Sequence, residues 1–446
     1  MSHILVAAMP APGHVNPMLA IACRLRDRGH TVLFNTGDVF REQVESERLR
    51  FIPLKGKANF DYRIFNKFLP EGKTLKPGPE DMIHSFKHVM GDTMLPQYDG
   101  ICEILSRESV DAILVNFIFL GAIPLLLGPR TARPPVISVG VSPLVLSSAD
   151  TSHLRGPVTT SEERERNREE TRQFQASFAC INEYLDNLLH SYGCPPLPGF
   201  FLDCLYTLPD LFLQLTVDAL EFPRSDMPSH IKFVGAVLPR SSSAFQPPDW
   251  WKELDGSRPV VLVTQGTIAN TDLNDLIGPT IAALSTEDVT VIAATGKANG
   301  AVTASIPANT KVTSFVPFME LLPEVSVFVT NGGFGAVNQA LSMGVPIVIA
   351  GETEDKAFVA ARVAWTGAGI SLGTSRPTAE QVRSAVRKIL NDDTYQTKAR
   401  ALQKCFAQYN SLELIAGHVE SILGSNFSPV LPPEGLLTSA LCEGVQ

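Results

Sequence analysis

Two turns in this chain hold residues whose types and spacing could do chemistry, and the more informative of them is rich in glycine. It follows an apolar, β-branched run at residues 325–329 and overlaps the start of a helix-like stretch at 336–343. Glycine lets the backbone come close to a ligand, and the N–H groups that open a helix point outward with a positive field, which suits a phosphate group. The residues of this turn are Asn331, Gly332, Gly333, Phe334, Gly335 and Ala336.

A second signal follows this turn at a short distance. Residues 344–346 (Gly-Val-Pro) open another apolar strand at 347–350, and an acidic loop at 352–356 comes next. Such a loop would lie at the carboxyl edge of an open parallel sheet, where its side chains could bind hydroxyl groups. A lone glycine-rich turn can simply close a strand–helix connection, and residues 333–338 approach the dinucleotide fingerprint except for Asn338 in place of its third glycine. The complete spacing favours a site for a nucleotide-sugar.

The other chemical turn lies near the N-terminus, at residues 10–17. Gly13 and Pro17 fit a tight turn into a helix that starts at residue 17, which would hold His14 at the carboxyl end of the first strand. An imidazole there could accept a proton near neutral pH as a general base, or it could simply cap the helix. An acid that orients the imidazole would help a base, and the candidate position holds Asn116. An amide could accept one hydrogen bond from the ring, but it would not offset the charge of an imidazolium.

Two further turns in the second half carry weaker signals. Gly266 and Thr267 follow an apolar strand and could contact phosphate, or they could form an ordinary turn. Phe315 and Val316 close another strand, where an aromatic ring could flank a flat base or pack in the core. Neither turn decides between these alternatives by itself.

No metal site is expected. The chain contains no Asp-x-Asp motif, and His84 and His88, four positions apart on a predicted helix, have no third ligand in view. The helix that begins near Gly335 would then have to stabilise a departing diphosphate.

Composition limits the classes of function. The chain has 446 residues, enough for two lobes of roughly 200 residues each. A net charge of −9 and a pI of about 5.6 offer no basic face to nucleic acid or to anionic lipid. Seven cysteines without a Cys-x-x-Cys pair are typical of a cytosolic protein. No signal peptide or membrane span is expected, because the most apolar stretch, 112–128, is interrupted by Asn116 and Pro124.

Short apolar runs that alternate with helical patterns predict an α/β fold with two doubly wound parallel sheets. We place an N-terminal Rossmann-like domain at 1–238, a linker rich in proline and serine at 239–258, a C-terminal Rossmann-like domain at 259–424 and a loose tail at 425–446. The predicted strands are 4–9, 31–35, 51–54, 112–115 and 136–139 in the first domain and 260–264, 289–293, 312–315, 325–329 and 347–350 in the second. A cleft between two such sheets is the usual place for a ligand.

These motifs resemble those of the family 1 UDP-glycosyltransferases, and especially the bacterial macrolide and antibiotic type and its fungal relatives. The likeness covers both domains through the segments GHVNP, TQGT, TNGGFGAVNQALSMGVP and ETEDK. It implies a GT-B fold, in which two Rossmann-like lobes face each other across a cleft.

The resemblance also implies roles for the candidate residues. His14 falls on the family's catalytic base and Asn116 on its acidic partner. The positions implied to bind the nucleotide-sugar are Gly13 beside the base, Gly266 and Thr267 at the phosphates, Phe315 and Val316 at the uracil, Asn331 to Ala336 at the diphosphate, Gln339 at the ribose, and Asp355 with Lys356 at the sugar hydroxyls.

Four positions depart from the family pattern. Asn331 replaces the usual histidine, Gln339 a glutamate, Lys356 a glutamine and Asn116 an aspartate. The amide of Asn331 can still donate a hydrogen bond but brings no charge, and the changes at Gln339 and Lys356 leave the donor sugar open. The change at Asn116 predicts a slower base, or one helped by another acid.

The implied function is that of an inverting, metal-independent glycosyltransferase in the cytoplasm. It would move a sugar, by the family's habit glucose, from a UDP-sugar to a hydroxyl of a hydrophobic polyketide, terpenoid or phenolic natural product. The UDP-sugar would be a co-substrate, so no cofactor is expected. Several apolar side chains of the first domain could line an acceptor site or belong to the core: Phe60, Phe65, Phe68, Met82, Phe86, Phe117 and Phe119. A nucleotide-sugar-binding protein with weak or no catalysis and a nucleotide-sugar epimerase are the alternatives.

Overall fold

A computed structural model describes residues 1–64, 79–239, 245–266, 272–296 and 306–424 of the protein. Two parallel β-sheets with helices packed against them form two α/β lobes. Phe65, Phe68, Thr267 and the tail predicted at 425–446 lie outside the described residues.

The strands fall into two large sheets and one short antiparallel pair. Those of the first lobe are β1 His3–Ala7, β2 Thr31–Thr36, β3 Arg50–Pro53, β4 Ala112–Asn116, β5 Val136–Gly140, the short pair β6 Thr151–Ser152 and β7 Gly156–Pro157, β8 Leu211–Gln214 and β9 Ile231–Phe233. Those of the second lobe are β10 Val260–Thr264, β11 Thr290–Ala294, β12 Thr310–Thr313, β13 Val327–Thr330, β14 Ile347–Ile349 and β15 Gly369–Ser371.

The α-helices alternate with the strands along most of the chain. Between β1 and β9 they are α1 Pro12–Asp27, α2 Arg41–Ser46, α3 Pro79–Ser85, α4 Asp92–Arg107, α5 Ile123–Leu127, α6 Ser161–Ser177, α7 Ala179–Ser191 and α8 Phe201–Thr207. After β10 they are α9 Ile277–Leu284, α10 Phe318–Leu321, α11 Phe334–Ser342, α12 Lys356–Thr366, α13 Ala379–Asn391, α14 Asp393–Phe406 and α15 Ser411–Gly424. Among these described helices, none combines the length and apolar character needed to cross a bilayer.

The first sheet has the strand order β3-β2-β1-β4-β5-β8-β9, and neighbouring strands are parallel throughout. Its central strands are mostly apolar because both faces are covered: Leu5 and Ala7 pack on one face, and Ile4 and Val6 on the other. From β1 the chain winds outward to β3 and then returns to the opposite side of β1. The strand order therefore reverses between β1 and β4, the place where open α/β sheets bind their ligands.

The second sheet repeats this plan. Its order is β12-β11-β10-β13-β14-β15, again parallel throughout, and it reverses between β10 and β13. The turn at Gly266 follows β10 and the turn at Gly332 follows β13. Both glycine-bearing turns of the second half thus lie at the reversal point of their sheet. The predicted fold class, two doubly wound parallel-sheet lobes, is confirmed.

Helix α1 begins at Pro12 and not at the predicted residue 17. A proline suits the first helical position because its missing N–H would have no helical partner there. Pro17 lies inside the helix, although a proline normally ends one by removing a hydrogen bond. Because the helix starts early, His14 lies in its first turn and not in the loop before it.

Besides the short pair β6 and β7, three strands of the two large sheets were not predicted from the sequence. β8, β9 and β15 contain only three or four residues each, which is too short for a period of two to stand out. They occupy outer positions of the two sheets, so missing them left the central strand order unaffected.

Helix α15 packs on the first lobe, although the predicted boundary assigns it to the second. Ile415, Ala416 and Val419 join the apolar cluster that covers one face of β1 and β4. Arg28, at the end of α1, forms an ion pair with Glu420 at 2.6 Å. The chain therefore crosses between the lobes twice, once between β9 and β10 and again between α14 and α15.

The two crossings touch each other. Gly235 has a left-handed φ of 75°, and a Cβ atom added to it would lie 2.4 Å from Cβ of Tyr409. Oγ of Ser411 donates to the carbonyl oxygen of Ala236 at 2.9 Å. This position needs glycine both for its backbone conformation and for the close approach of the second crossing.

A buried ion pair also joins the lobes. Arg362 of α12 is 1% exposed, and its Nε donates to one carboxylate oxygen of Glu221 at 2.7 Å. The other oxygen of Glu221 accepts from the backbone N–H of Leu144 at 2.8 Å. A second buried guanidinium, that of Arg224, lies 3.8 Å from Glu221. One carboxylate thus balances two buried arginines and ties the loop after β5 to α12.

Candidate functional site

His14 and Asn116 lie together at the reversal point of the first sheet. Asn116 is the last residue of β4, and β4 pairs with β1, the strand that leads into the helix of His14. The side-chain amide nitrogen of Asn116 is 3.1 Å from Nδ1 of His14. Two candidates far apart in the sequence are therefore in direct contact.

The hydrogen bond between them runs from the asparagine to the histidine. Oδ1 of Asn116 accepts from the backbone N–H of Met9 at 2.8 Å, and a backbone N–H can only donate. The amide nitrogen must then face the ring and donate to Nδ1, so the neutral ring carries its proton on Nε2. This corrects the expectation that the amide would accept from the ring.

Burial lowers the pKa of His14 to about 4. An imidazolium at this position would lose hydration, and the side chain that faces Nδ1 is a neutral amide with no charge to compensate. The ring is therefore neutral at pH 7.

The glycine turn of the second lobe is held in shape by two close approaches. Gly332 has a φ of 92°, and a Cβ atom there would lie 2.9 Å from Cγ2 of Ile349. A Cβ atom on Gly351 would lie 1.9 Å from the carbonyl oxygen of Asn331. Any side chain at either position would push the turn away from β14.

Helix α11 begins directly after this turn, with Gly333 as its N-cap. Glycine supplies no side-chain cap, so the N–H groups of Phe334, Gly335 and Ala336 lack the partners that a serine or aspartate cap would give. A Cβ atom on Gly335 would meet nothing within 4 Å. The helix end is thus open and carries a positive field, the arrangement that binds anions.

The side chain of Asn331 already makes one hydrogen bond within the protein. Its Nδ2 donates to the backbone carbonyl of Gln265 at 2.5 Å, which links the ends of β13 and β10. One N–H of this amide is used in that contact, and the second is left for a ligand oxygen. Gly266 lies beside the same amide with a φ of 73°.

Phe315 and Val316 have opposite environments. The ring of Phe315 is 76% exposed, whereas Val316 is 3% exposed and belongs to the core of the second lobe. A large apolar ring exposed after β12 at the carboxyl edge of the sheet can stack on a flat base. Val316 can offer a ligand only its backbone.

The residues expected at the sugar lie where the two lobes meet. Asp355 is half-buried and hydrogen-bonds to Ser142, which follows β5 of the first lobe, while loss of hydration raises the pKa of the Asp355 carboxyl. Lys356 forms an ion pair with Glu354, its Nζ lies 3.0 Å from Oγ1 of Thr353 and burial lowers its pKa to about 8. The carboxyl edges of the two sheets are therefore in contact at this point.

Gln339 completes the set of residues implied at the nucleotide. It is half-buried in α11, and its Nε2 donates to the carbonyl oxygen of Gly335 at 3.2 Å. This bond uses one N–H of the amide and leaves the amide oxygen as an acceptor, which suits a ribose hydroxyl.

Ser142 and His153 were not identified from the sequence. Ser142 lies in the segment Val-Ser-Pro, which matches no motif, and only its contact with Asp355 makes it notable. His153 is 9% exposed and packs against the rings of Phe174 and Phe358 at 5.1 and 6.5 Å. Within the described ranges, neither of its ring nitrogens has a hydrogen-bond partner. A lone histidine gives no sequence signal of such burial.

The stability of the protein should fall between pH 6.5 and pH 4. Burial, helped by the positive charges of Arg224 and Arg362, lowers the pKa of His153 from 6.5 to about 4. In this window the unfolded chain binds a proton that the folded chain does not, so unfolding becomes easier as the pH falls. The shift corresponds to about 3 kcal/mol. The melting temperature of the wild type should fall more steeply than that of His153→Phe between pH 6.5 and pH 4, so that the two differ least at pH 7 and the wild type loses ground towards pH 4; parallel curves would contradict this.

The apolar side chains proposed for the acceptor divide into two groups. Phe60 and Phe119 are buried in the core of the first lobe. Met82, Phe86 and Phe117 are half-buried and pack against that core. The half-buried group is the one that retains surface for a hydrophobic ligand.

His84, in α3, and His88, in the π-helical segment Phe86–Gly91 that follows α3, have no third side chain beside them that would complete a metal site within the described residues. The rings of His84 and His88 are 4.7 Å apart and tilted against each other. Within the described part of the chain, no group of three or more His, Cys, Asp or Glu residues is arranged to hold a metal ion.

Comparisons with known proteins show which family the chain resembles over nearly its whole length. A model of the glycosyltransferase family 28 N-terminal domain matches residues 4–93, and a model of the C-terminal domain of erythromycin biosynthesis protein CIII-like proteins matches residues 279–420. UDP-glycosyltransferase 2 of Phaeomoniella chlamydospora is 37% identical over 435 residues, 94% of this chain and 95% of that protein. UDP-glucosyltransferase A1 of Starmerella bombicola is 32% identical over 448 residues, 98% and 94% of the respective chains.

A solved structure gives the same result for the fold. The calicheamicin glycosyltransferase CalG4 matches 96% of this chain and 99% of its own, with a TM-score of 0.73 and 21% sequence identity. A match of this extent includes both sheets and the segments that connect them.

Proposed function

Since this chain belongs to the UDP-glycosyltransferases and has their GT-B fold, we propose that it transfers a hexose from a UDP-sugar to an oxygen atom of a hydrophobic small molecule. Glucose is the first donor sugar to test, because a relative similar over nearly the whole chain is named a UDP-glucosyltransferase. The acceptor class is that of polyketide, terpenoid or phenolic natural products. We further propose inversion at the anomeric carbon and no requirement for a metal ion or other cofactor.

The contact between Asp355 and Ser142 carries this proposal. Asp355 follows β14 and Ser142 follows β5, so the carboxyl edges of the two sheets meet there. The open end of α11 lies at the edge of one sheet and His14 at the edge of the other. A donor held by the second lobe would then present its sugar to an acceptor held by the first.

On the donor side, each part of a UDP-sugar has a matching group. The N–H groups of Phe334, Gly335 and Ala336 suit the diphosphate, and the exposed ring of Phe315 suits the uracil. Gln339 offers an oxygen to the ribose. As the bond from the anomeric carbon to the phosphate oxygen breaks, negative charge grows on the diphosphate, and the positive field at the start of α11 stabilises it.

Asp355 and Lys356 remain the candidates for the sugar hydroxyls. Both lie at the start of α12, close to the lobe contact, and both have polar partners within the protein. A sugar would have to share or replace these partners. This is consistent with selectivity for one hexose, because a buried polar group left without a partner costs about 1–3 kcal/mol.

The reaction itself needs one displacement. The acceptor hydroxyl gives up its proton, its oxygen attacks the anomeric carbon from the face opposite the diphosphate, the new carbon–oxygen bond forms, and UDP leaves with the electron pair of the old bond. His14 is the polar group of the first lobe placed to contact that oxygen. The other two possibilities, a nucleotide-sugar-binding protein and an epimerase, are not favoured, because the similar proteins are named as transferases.

We also propose a cytoplasmic location. The six cysteines within the described residues are free, which suits a reducing compartment.

Replacing Gly335 with aspartate is expected to weaken UDP binding by at least about 30-fold, or about 2 kcal/mol, because the carboxylate would repel the diphosphate. Stability should stay equal or rise by about 0.3–1 kcal/mol, since an acidic residue in the first turn complements the helix field. The added side chain meets no protein atom within 4 Å at its Cβ. Calorimetric titration with UDP and a melting curve measure the two effects.

Gly335→Asn is the matched control. It has nearly the same shape as the aspartate variant without its charge, so any loss of affinity common to both variants is steric. If both variants bind UDP as the wild type does, the diphosphate does not lie at α11 and the proposed donor site is wrong.

A further inference from the structure

The orientation of the Asn116 side chain is fixed by its surroundings. The residue is fully buried, at 0% exposure, and the backbone N–H of Met9 points at Oδ1 from 2.8 Å. Rotating the amide by 180° would bring its NH2 group against that N–H and leave both donors without an acceptor. The orientation seen is the one that satisfies the Met9 N–H, the amide and the ring together.

In this orientation, neither ring nitrogen of His14 is available to act as a base. Nδ1 faces Asn116 and accepts its N–H, so Nδ1 is not free to take another proton. The remaining nitrogen, Nε2, already carries the ring proton and presents an N–H to the acceptor site. A ring in this tautomer donates a hydrogen bond and cannot accept a proton from a hydroxyl at Nε2.

A carboxylate at position 116 would give the opposite result. One of its oxygens could still accept from Met9, and the other would accept from Nδ1–H, which leaves Nε2 free as a base. Its charge would also stabilise an imidazolium. Asn116 does neither, and the low pKa of His14 has burial as its cause. His14 is thus a weak base for two independent reasons: Nδ1 accepts a hydrogen bond from Asn116, and burial disfavours the charged ring.

We infer that this enzyme uses acceptors that arrive already ionised, so that phenols and carboxylic acids are substrates and unactivated aliphatic alcohols are not. The inference rests on the proposed function and narrows its acceptor class. The acceptor loses its proton to water before the reaction. Its oxyanion, oriented by the Nε2–H of His14, then attacks the anomeric carbon, and UDP departs with the electrons of the broken bond. His14 gains and loses no proton in this sequence.

The acidity of the acceptor hydroxyl would then determine the rate of sugar transfer. A phenol has a pKa of about 10, as tyrosine does, and an aliphatic hydroxyl one of about 16, close to that of water. At one fixed pH, each unit of acceptor pKa above that pH reduces the anion tenfold. The greater nucleophilicity of the more basic anions offsets part of this reduction.

The test measures kcat/KM of the full chain with UDP-glucose at pH 7.5. The acceptors are substituted phenols of equal size with pKa values of about 7 to 10, and a benzylic alcohol of matching shape. The wild type is expected to lose severalfold in kcat/KM per pKa unit and to show no detectable transfer to the alcohol. Comparable rates with phenol and alcohol would overturn the inference.

Asn116→Asp supplies the contrasting variant. Here Asn116 is a positioning residue, so the expected change is in the dependence on acceptor pKa. The aspartate should flatten that dependence and raise transfer to the alcohol by about 10²-fold or more, with a much smaller effect on the most acidic phenol. An equal change for every acceptor would mean that the substitution acts only on the fold.

A spectroscopic measurement needs neither activity nor a variant that folds with a buried aspartate. Nitrogen chemical shifts of the imidazole rings distinguish an Nε2–H from an Nδ1–H tautomer, and His14→Gln identifies the His14 signals. We expect Nε2–H in the wild type, and Nδ1–H would overturn the inference. If UDP does not bind and no acceptor reacts, the proposed function fails and this inference with it. If phenol and alcohol both react well, only this inference fails.

Discussion

Replacement of His14 with alanine is expected to lower kcat/KM for sugar transfer by about 10²- to 10³-fold, the usual effect of removing one hydrogen-bond donor aimed at a reacting oxygen. The ring contacts Asn116 through Nδ1 at 3.1 Å, and we infer that its Nε2–H donates to the acceptor oxyanion. Alanine would leave the acceptor oxyanion without that donor and without orientation. Initial rates with UDP-glucose and an acidic phenol measure the loss.

Binding of UDP should change little in the same variant, because the donor-binding groups belong to the second lobe. Calorimetric titration is expected to give a dissociation constant within about threefold of the wild type. His190→Ala is the control, since this histidine is exposed at the end of α7, and it should behave as the wild type does in both assays. Near-normal transfer by His14→Ala would show that the ring has no part in the reaction.

Glu221→Ala is expected to be the most damaging substitution for stability, at about 3–5 kcal/mol. It would leave the buried guanidinium groups of Arg362 and Arg224 facing each other without a counter-charge. It would also remove the acceptor for the backbone N–H of Leu144. Denaturant unfolding followed by fluorescence and by circular dichroism measures the loss, with both probes needed because two lobes need not unfold together.

Glu221→Gln separates the charge from the hydrogen bonds. A glutamine oxygen can still accept from Leu144 or from Arg362, so this variant should lose roughly half as much, about 2 kcal/mol. Because the same ion pair holds α12 in place, KM for the donor should rise in both variants. If Glu221→Ala unfolds at the same denaturant concentration as the wild type, the Arg362–Glu221 ion pair does not stabilise the contact between the lobes.

The sequence was sufficient for the central strands and for both chemical turns. The strand β10 was predicted at its observed bounds, because an uninterrupted β-branched run has no competing helical period. The contact between His14 and Asn116 also follows from the predicted strands, because the carboxyl ends of neighbouring parallel strands lie at one edge of a sheet. The resemblance to a family adds predicted roles for these residues, which spacing alone left open.

Other features depend on contacts that no local pattern records. The direction of the hydrogen bond from Asn116 is set by the N–H of Met9, 107 positions away in the sequence. The early start of α1 depends on a proline being tolerated inside a helix, against its usual effect. Similarly, the position of α15 on the first lobe follows from its packing partners, because its apolar face could cover either sheet.

The adjoining crossings at Gly235 and Ser411 have a mechanical consequence. Two lengths of backbone held side by side resist sliding, so a change in the angle between the lobes, which would also have to break the Arg362–Glu221 ion pair, would take place as a rotation about that junction. For a given rotation between the lobes, the rim of the cleft farthest from this junction moves the greatest distance. The stiffness of the junction therefore helps to set the size of the ligand that can enter the cleft, even though the ligand does not contact the junction.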